Sequence, residues 1–394
     1  LRAARYSLEP GDEVDRARIS RLQATSAGSA PGNLSPAFGR EVGAMRKVCL
    51  LPVLFGMFLA ALSASCSPAP IGHKERDASV RPGGGADRPY NELGPQKAVS
   101  GIVKLFDTYS VVAIGEFHGY AELGDLYTAL VRDPAFQRTV NDIVIEFASR
   151  HNQPILDRYI LQCADVPLDE LRRVWRDTSK ATHFWESPLY MGWLEAIRDA
   201  NRKLPAAKRM RVLAGDTPID WAKIKTHEDW VALGQSDVSF AKVVNEEVLD
   251  KKRKALLILG AGHLAKDGGR LKQQNTTSRI EKAHPGAIGI VFVFGTIPPH
   301  EYLPEVLKKM VDWKIPSLFY PLKGSWLGKE PWLGRAPLDQ VADGLLYVGP
   351  PGTQKLIQSR RDTIDKVWFE ELQRRSLIQW GSTDRVEVLR PREK

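Results

Sequence analysis

Cysteine is scarce in this 394-residue chain, present only as Cys49, Cys66 and Cys163. Three cysteines exclude the internal disulfide lattice of a small secreted scaffold, and no C-x-x-C-H haem-attachment run occurs. Cys163, in Ile160-Leu161-Gln162-Cys163, is expected to be a buried small apolar residue rather than a nucleophile. Several catalytic signatures are also missing. There is no G-x-S-x-G elbow for a serine hydrolase. There is no H-E-x-x-H helix, since His227-Glu228 has no second His at the right place. Gly349-Pro350-Pro351-Gly352-Thr353-Gln354-Lys355 follows a short apolar run, but a phosphate-binding loop needs Gly at Gln354 and Ser or Thr at Leu356.

No strong charge imbalance points to a nucleic acid. Lys and Arg number 56 against 47 Asp and Glu, for a net charge of +9. The densest basic run, Lys251-Lys252-Arg253-Lys254, precedes an apolar stretch and reads as a solvated turn. No internal repeat is visible. The composition, 43% hydrophobic and 26% charged, is that of an ordinary globular protein.

The N-terminal region carries an export signal. Met45-Arg46-Lys47 precedes an apolar run, Val48–Ala61, and then Leu62-Ser63-Ala64-Ser65-Cys66. A basic start, a short apolar stretch and small residues before a cleavage point describe a secretory signal peptide over residues 45–65. Cys66 directly after the small residues resembles a bacterial lipoprotein cleavage box, with Cys66 as the lipid attachment site. Ordinary signal cleavage and an uncleaved anchor are the alternatives, although the run is short of the roughly 20 apolar residues of a spanning helix. Residues 1–44 are expected to be a non-native or disordered extension. Residues 66–95, with Arg81-Pro82-Gly83-Gly84-Gly85, read as a flexible tether. This arrangement implies an exported protein of the bacterial cell envelope, tied to a membrane by its lipid anchor.

Residues 96–380 read as a single α/β domain. Short, continuous apolar runs occur at 110–115, 142–147, 210–215, 255–260, 287–295 and 344–349. Runs of this kind suit strands covered on both faces, as in a parallel sheet. Between them lie segments of helical spacing, among them 121–132, 189–201 and 238–251. Alternation of strands and helices predicts an open, mostly parallel sheet with flanking helices. The stretch 151–208 is too long for one crossover helix. It is read as a helical insertion near the strand ends, rich in aromatics (Trp175, Phe184, Trp185, Tyr190, Trp193) that either pack its helices together or form a lid or substrate wall. An amphipathic helix over 360–375 is expected to close the core.

Polar residues follow the apolar runs. The first ends in Gly115-Glu116-Phe117-His118, and the second contains Glu146 and continues to Arg150-His151. The third ends in Gly215-Asp216 and reaches Asp220, and the fourth ends in Gly260-Ala261-Gly262-His263. In open α/β sheets the ligand site lies beyond the carboxyl ends of the strands. These groups are therefore expected to meet at one edge. His118, His263, Glu116 and Glu146 are the candidate catalytic residues. Arg150, His151, Asp216 and Asp220 are supporting candidates, although Asp216 and Asp220 also suit a capping role before Trp221. Two imidazoles and two or three carboxylates serve general acid–base catalysis, or hold a divalent metal through His118, His263 and Glu146. The glycines beside the histidines are expected to permit close backbone approach.

The paired motifs Gly115-Glu116-Phe117-His118 and Gly260-Ala261-Gly262-His263, with Glu146 between them, resemble a known superfamily. It comprises ChaN-like haem-binding uptake lipoproteins, Tiki/TraB proteins and erythromycin esterases. The resemblance runs over roughly residues 97–350. It implies an α/β core with helical additions. Its Tiki-like branch implies metal-dependent peptide hydrolysis through the two Gly-x-x-His motifs. Its esterase-like branch implies water activation by a His with Glu support. Its ChaN-like branch implies haem binding on a lipid-anchored surface protein. The leading expectation is a hydrolase acting on a small molecule or peptide, with non-catalytic capture of haem or another ligand as the rival.

Overall fold

In a computed structural model the described residues are 94–182, 184–267, 274–295, 304–331, 336–357, 359 and 361–391. The expected extension, the signal peptide, Cys66 and the tether up to residue 93 lie outside them. Among the described residues no helix is long and apolar enough to cross a membrane.

Among the described residues eight strands form one sheet: β1 (Gln96–Lys97), β2 (Val111–Glu116), β3 (Asp142–Ser149), β4 (Arg211–Asp216), β5 (Ala255–Gly260), β6 (Ile288–Phe294), β7 (Ser317–Phe319) and β8 (Gly344–Tyr347). Their spatial order is β1-β7-β8-β6-β2-β5-β3-β4. The six strands from β8 to β4 run parallel, while β7 pairs antiparallel with β8 and β1 antiparallel with β7. All six strands expected from the sequence are present. The short strands β1 and β7 are additional. Ser317-Leu318-Phe319 is only three residues long and lies close to Pro316 and Pro321, so its pattern carries no period to read.

Both faces of the sheet are covered, which explains the unbroken apolar runs. In β2, Val112 and Ile114 join one core while Val111 and Ala113 join the other. In β5, Leu256 and Ile258 alternate in the same way with Leu257 and Leu259. The first core is roofed by helices Ala98–Leu105, Ala121–Arg132 and Pro188–Arg202, and the second by helices Ser236–Val243, Thr276–Ala283 and Pro304–Met310.

The segment 151–208, expected as a helical insertion, packs closely on the sheet. Leu156, Ile160, Leu171, Val174, Trp193, Leu194 and Ile197 all belong to the first core, so most of the segment is the layer that covers one sheet face between β3 and β4. Near its middle, Ser179 binds Asp216 at the end of β4 and Trp185 packs on His118. Cys163 is a free thiol and half-buried rather than buried, at a residue with φ 53°. The C-terminal helix runs Lys366–Trp380, later than expected. The Asp365 side chain caps it by accepting from Trp368 N at 2.7 Å, and Gly381, at φ 67°, ends it. Packing continues past residue 380, where Val386 and Leu389 join Ile364, Phe369 and Leu372.

Candidate functional site

The carboxyl ends of β2, β5 and β3 lie side by side, with β5 in the middle. Glu116 closes β2 and pairs with Gly260, the last residue of β5. Glu146 sits in β3 where the register with β4 slips, between the pairs Ile145–Ala214 and Ser149–Asp216. Such an irregularity re-aims side chains. The Glu146 carboxylate reaches across β5 and accepts Gly260 N at 2.6 Å.

Two imidazoles flank this carboxylate. His118 Nε2 is 3.6 Å from Glu146 Oε2, and His263 Nε2 is 3.6 Å from Glu146 Oε1. Each ring is held from behind by a second carboxylate. His118 Nδ1 is 2.9 Å from Glu116 Oε1, and His263 Nδ1 is 3.1 Å from Asp237 Oδ1. A carboxylate accepts only, so Nδ1 carries the proton in both rings and Nε2 is the atom left facing Glu146. Neither 3.6 Å contact is a hydrogen bond, and the Nε2 atoms keep capacity for a water or a substrate group. The His118 and His263 side chains are 19% and 20% exposed, against 3% for Glu116 and 10% for Glu146. The imidazoles therefore face the opening, and Glu116 is the buried support.

The supports are themselves tied down. Glu116 accepts the hydroxyl of fully buried Tyr127 through its other oxygen. Asp237 Oδ1 also accepts Thr276 N at 2.8 Å and Thr276 Oγ1 at 2.7 Å. Trp185 packs edge-on to His118 with ring centroids 4.6 Å apart, and Phe240 does the same to His263 at 5.2 Å.

Electrostatics polarise the cluster. Burial opposes the charged form of His118, but Glu146 and the hydrogen-bonded Glu116 together outweigh it and raise its pKa. Burial likewise opposes ionised Glu146, yet His118, His263, Lys180 and the Gly260 N–H lower its pKa. Asp237 is lowered too, because its bonds to His263 and Thr276 outweigh burial. Tyr127 is pushed well up by burial and by Glu116, which keeps its hydroxyl a donor.

His118, His263, Glu116 and Glu146 thus meet at one place. The supporting candidates fare differently. Arg150 is half-buried beyond β3 and forms no side-chain hydrogen bond or ion pair among the described residues, so it does not neutralise either glutamate. His151 is exposed. Asp220 faces solvent, accepting Ala222 N at 3.1 Å and pairing with Lys223 at 3.2 Å in a surface turn. Asp216 is buried and binds Ser179, through its backbone N at 2.5 Å and its hydroxyl at 2.7 Å. Sequence reasoning missed Asp237, Tyr127 as a partner of Glu116, and Lys180.

Two of the glycines beside the histidines matter. Gly119 has φ +92°, a conformation that other residues rarely adopt. A Cβ on Gly260 would lie 3.2 Å from His118 Nε2 and 3.5 Å from Glu146 Oε2, so the missing side chain makes room for the pair. Gly262, in contrast, stands in open space.

The expected metal reading through His118, His263 and Glu146 gains no support from this arrangement. Among the described residues no group of three His, Cys, Asp or Glu side chains is arranged to hold a metal ion. The imidazoles meet different oxygens of Glu146, and their other nitrogens are committed to Glu116 and Asp237.

No protein-family profile matches the chain, and neither does any curated protein sequence. Solved structures do align with it. A Bacillus cereus protein matches at 12% identity over 68% of this chain and 96% of its own, with a TM-score of 0.47. A mutant of the erythromycin esterase EreC in its open conformation matches at 12% identity over 66% of this chain and 95% of its own, with a TM-score of 0.46. Campylobacter jejuni ChaN with cofacial haem matches at 14% identity over 63% of this chain and 90% of its own, with a TM-score of 0.30.

Proposed function

We propose that this protein is a hydrolase that activates water between two imidazoles and cleaves an acyl bond, in an ester, a lactone or a peptide. One observation carries the reading: Glu146 stands between His118 and His263, and each of these is oriented by a carboxylate of its own. A purely structural ion pair needs one partner for Glu146 and no such backing for either ring.

The chemistry follows from the proton positions. A water held by the Glu146 carboxylate gives a proton to His263 Nε2 as its oxygen attacks the substrate carbonyl. Asp237 stabilises the imidazolium that forms, the role of the acid in a Ser-His-Asp triad. His118, whose raised pKa favours its protonated form, donates from Nε2 to the departing oxygen or nitrogen. Glu146, kept ionised by its surroundings, steadies positive charge on either ring. Proton exchange with solvent then resets His118 and His263.

Purified protein assayed on p-nitrophenyl acetate, a simple lactone and a peptide library tests the reading. Wild-type protein is expected to hydrolyse at least one of these substrates, and Glu146→Gln to hydrolyse none while melting as a folded protein. Equal turnover by Glu146→Gln removes the proposal.

In the same reading, the signal over 45–65 and Cys66 carry the domain to the bacterial cell envelope as a lipoprotein. Metabolic labelling with a fatty acid, present in wild-type protein and lost in Cys66→Ser, supports this. Label retained in the variant counts against it.

A further inference from the structure

Asn275, Thr276 and Thr277 are consecutive polar residues at the start of the helix Thr276–Ala283, and all three are buried. Buried polar side chains need hydrogen-bond partners, and each of these finds one beside His263. Asn275 Nδ2 donates to Ala265 O at 2.7 Å, and Thr277 Oγ1 donates to Leu264 O at 2.8 Å. Those two carbonyls belong to the residues that directly follow His263. Thr276, between them, donates to Asp237 Oδ1 from its backbone N at 2.8 Å and from its hydroxyl at 2.7 Å. One helix start thus holds the His263 loop by its backbone and the His263 ring through its carboxylate. Starting the helix requires less, because the Asn275 side chain already caps it by accepting Ser278 N at 3.1 Å.

Both Thr276 bonds fall on the oxygen that meets His263 Nδ1 at 3.1 Å. Asp237 Oδ2 has no hydrogen-bond or ion-pair partner among the described residues. A carboxylate turns easily about its last side-chain bond, since that torsion is broad. With two donors on Oδ1, turning breaks them both, so this oxygen stays opposite the ring. Phe240, one turn further along the helix Ser236–Val243, packs edge-on to the same ring. His118 is backed differently. Its partner Glu116 meets the imidazole with Oε1 and accepts Tyr127 with Oε2, so the second donor does not share the oxygen that holds the ring.

We propose that Thr276 is a positioning residue for the hydrolytic step: its hydroxyl locks Asp237 Oδ1 against His263 Nδ1 and so aims Nε2 at the water beside Glu146. This inference rests on the hydrolase reading above. In that step the water oxygen bonds to the carbonyl carbon, its proton passes to His263 Nε2, and the carbonyl π pair moves onto the carbonyl oxygen. Collapse of that oxyanion expels the leaving group, which takes its proton from His118. Thr276 exchanges no proton. It keeps the acceptor of the first one in line.

Three measurements on the full chain test this. The first compares kcat and KM of wild type, Thr276→Val, Thr276→Ala and Thr276→Ser on whichever acyl substrate is turned over. Valine keeps the branched shape and alanine leaves room in its place, while both lack the hydroxyl and keep the backbone N–H. Both are expected to lose about tenfold in kcat with KM nearly unchanged, and Thr276→Ser to recover most of the loss. The second adds Thr276→Val to Asp237→Asn, where it is expected to cost nothing further, because it acts through that carboxylate. The third needs no turnover. It follows the His263 Nδ1–H resonance by proton NMR, assigned by its disappearance in His263→Asn. The resonance is expected in wild type and Thr276→Ser, and to be lost to solvent exchange in Thr276→Val and Thr276→Ala. Unchanged kcat in the variants without the hydroxyl overturns the proposal. So do a Thr276→Ser variant as impaired as Thr276→Val, losses that multiply on the Asp237→Asn background, and a resonance indifferent to Thr276 or absent from wild type. If wild-type protein hydrolyses nothing but the resonance still depends on the hydroxyl, the hydrolase reading fails and Thr276 stands as the group that orients His263.

Discussion

Glu146 Oε2 accepts the backbone N–H of Gly260 at 2.6 Å, a bond that crosses from β3 to the end of the neighbouring strand β5. The bond fixes the carboxylate over a residue with no side chain, and the His118 ring fills the space that a side chain would take. The site is therefore a product of strand order. β5 inserts between β2 and β3, and a glycine at its tip lets their polar residues meet above it.

Gly260→Ala tests that relation. The added methyl would stand 3.2 Å from His118 Nε2 and 3.5 Å from Glu146 Oε2. Gly260 has φ −56°, which alanine accepts, so the backbone itself is unstrained. We expect turnover to fall at least tenfold, since displacements of about 1 Å cost up to 100-fold, with a small change in melting temperature. Gly262→Ala, in open space, is expected to leave turnover intact.

Asp237→Asn addresses the residue that sequence reasoning missed. Asn can present its amide to His263 Nδ1 and favour the wrong tautomer, with the proton on Nε2. Turnover is expected to drop by about 100-fold or more while the fold persists. Steady-state kinetics of Asp237→Asn beside Asp220→Asn provide the check, because Asp220 lies in a surface turn and its variant should behave as wild type.

Tyr127→Phe removes the hydroxyl that Glu116 accepts inside the core. A hydrogen bond to a charged group contributes about 1.5–3 kcal/mol, and its loss leaves a buried oxygen unpaired. Chemical denaturation should show a destabilisation of about 2 kcal/mol. Glu116 then holds His118 less firmly, and turnover should fall as well.

The pH dependence of stability has a definite sign. The His118 pKa is raised above its ordinary 6.5 in the folded protein. Its contribution is therefore fully present below pH 6.5 and is lost as pH rises through the higher folded value. Glu146 is lowered from 4.5, so its contribution is present above pH 4.5 and is lost as pH falls through the lower folded value. The stability advantage of wild type over His118→Asn should thus shrink as pH rises above 6.5. Thermal melts of both proteins from pH 5 to 9 show whether it does.

Much of this was legible in the sequence because burial writes itself into composition. A strand covered on both faces has to be apolar throughout, so Val111–Ile114 and Leu256–Leu259 announce themselves. Charged residues at the ends of such runs then mark the open edge, which is how Glu116, Glu146, His118 and His263 could be grouped. The illegible residues are those whose role depends on a partner elsewhere. Asp237 lies in the first turn of a helix, where an acidic residue is ordinary, and only folding brings it to His263. Tyr127 falls on the apolar stripe of Ala121–Arg132 with Leu123, Leu126 and Leu130, and the period says nothing of where its hydroxyl goes. Thr178, Ser179 and Ala181 sit in a stretch without periodicity, and only folding brings them their partners Asp216, Trp221, Trp230 and Gln379. Asp216 was placed at the right edge, but its partner Ser179 was not visible.

The central claim is that His118 and His263 act as one unit on a shared water, and a mutant cycle tests it most directly. Turnover of wild type, His118→Asn, His263→Asn and the double variant is measured on one substrate, with a thermal melt of each. We predict that each single variant loses nearly all activity while remaining folded, and that the double variant is scarcely worse, as for groups that work together. Full activity in either single variant would contradict the account, and so would losses that simply multiply in the double variant.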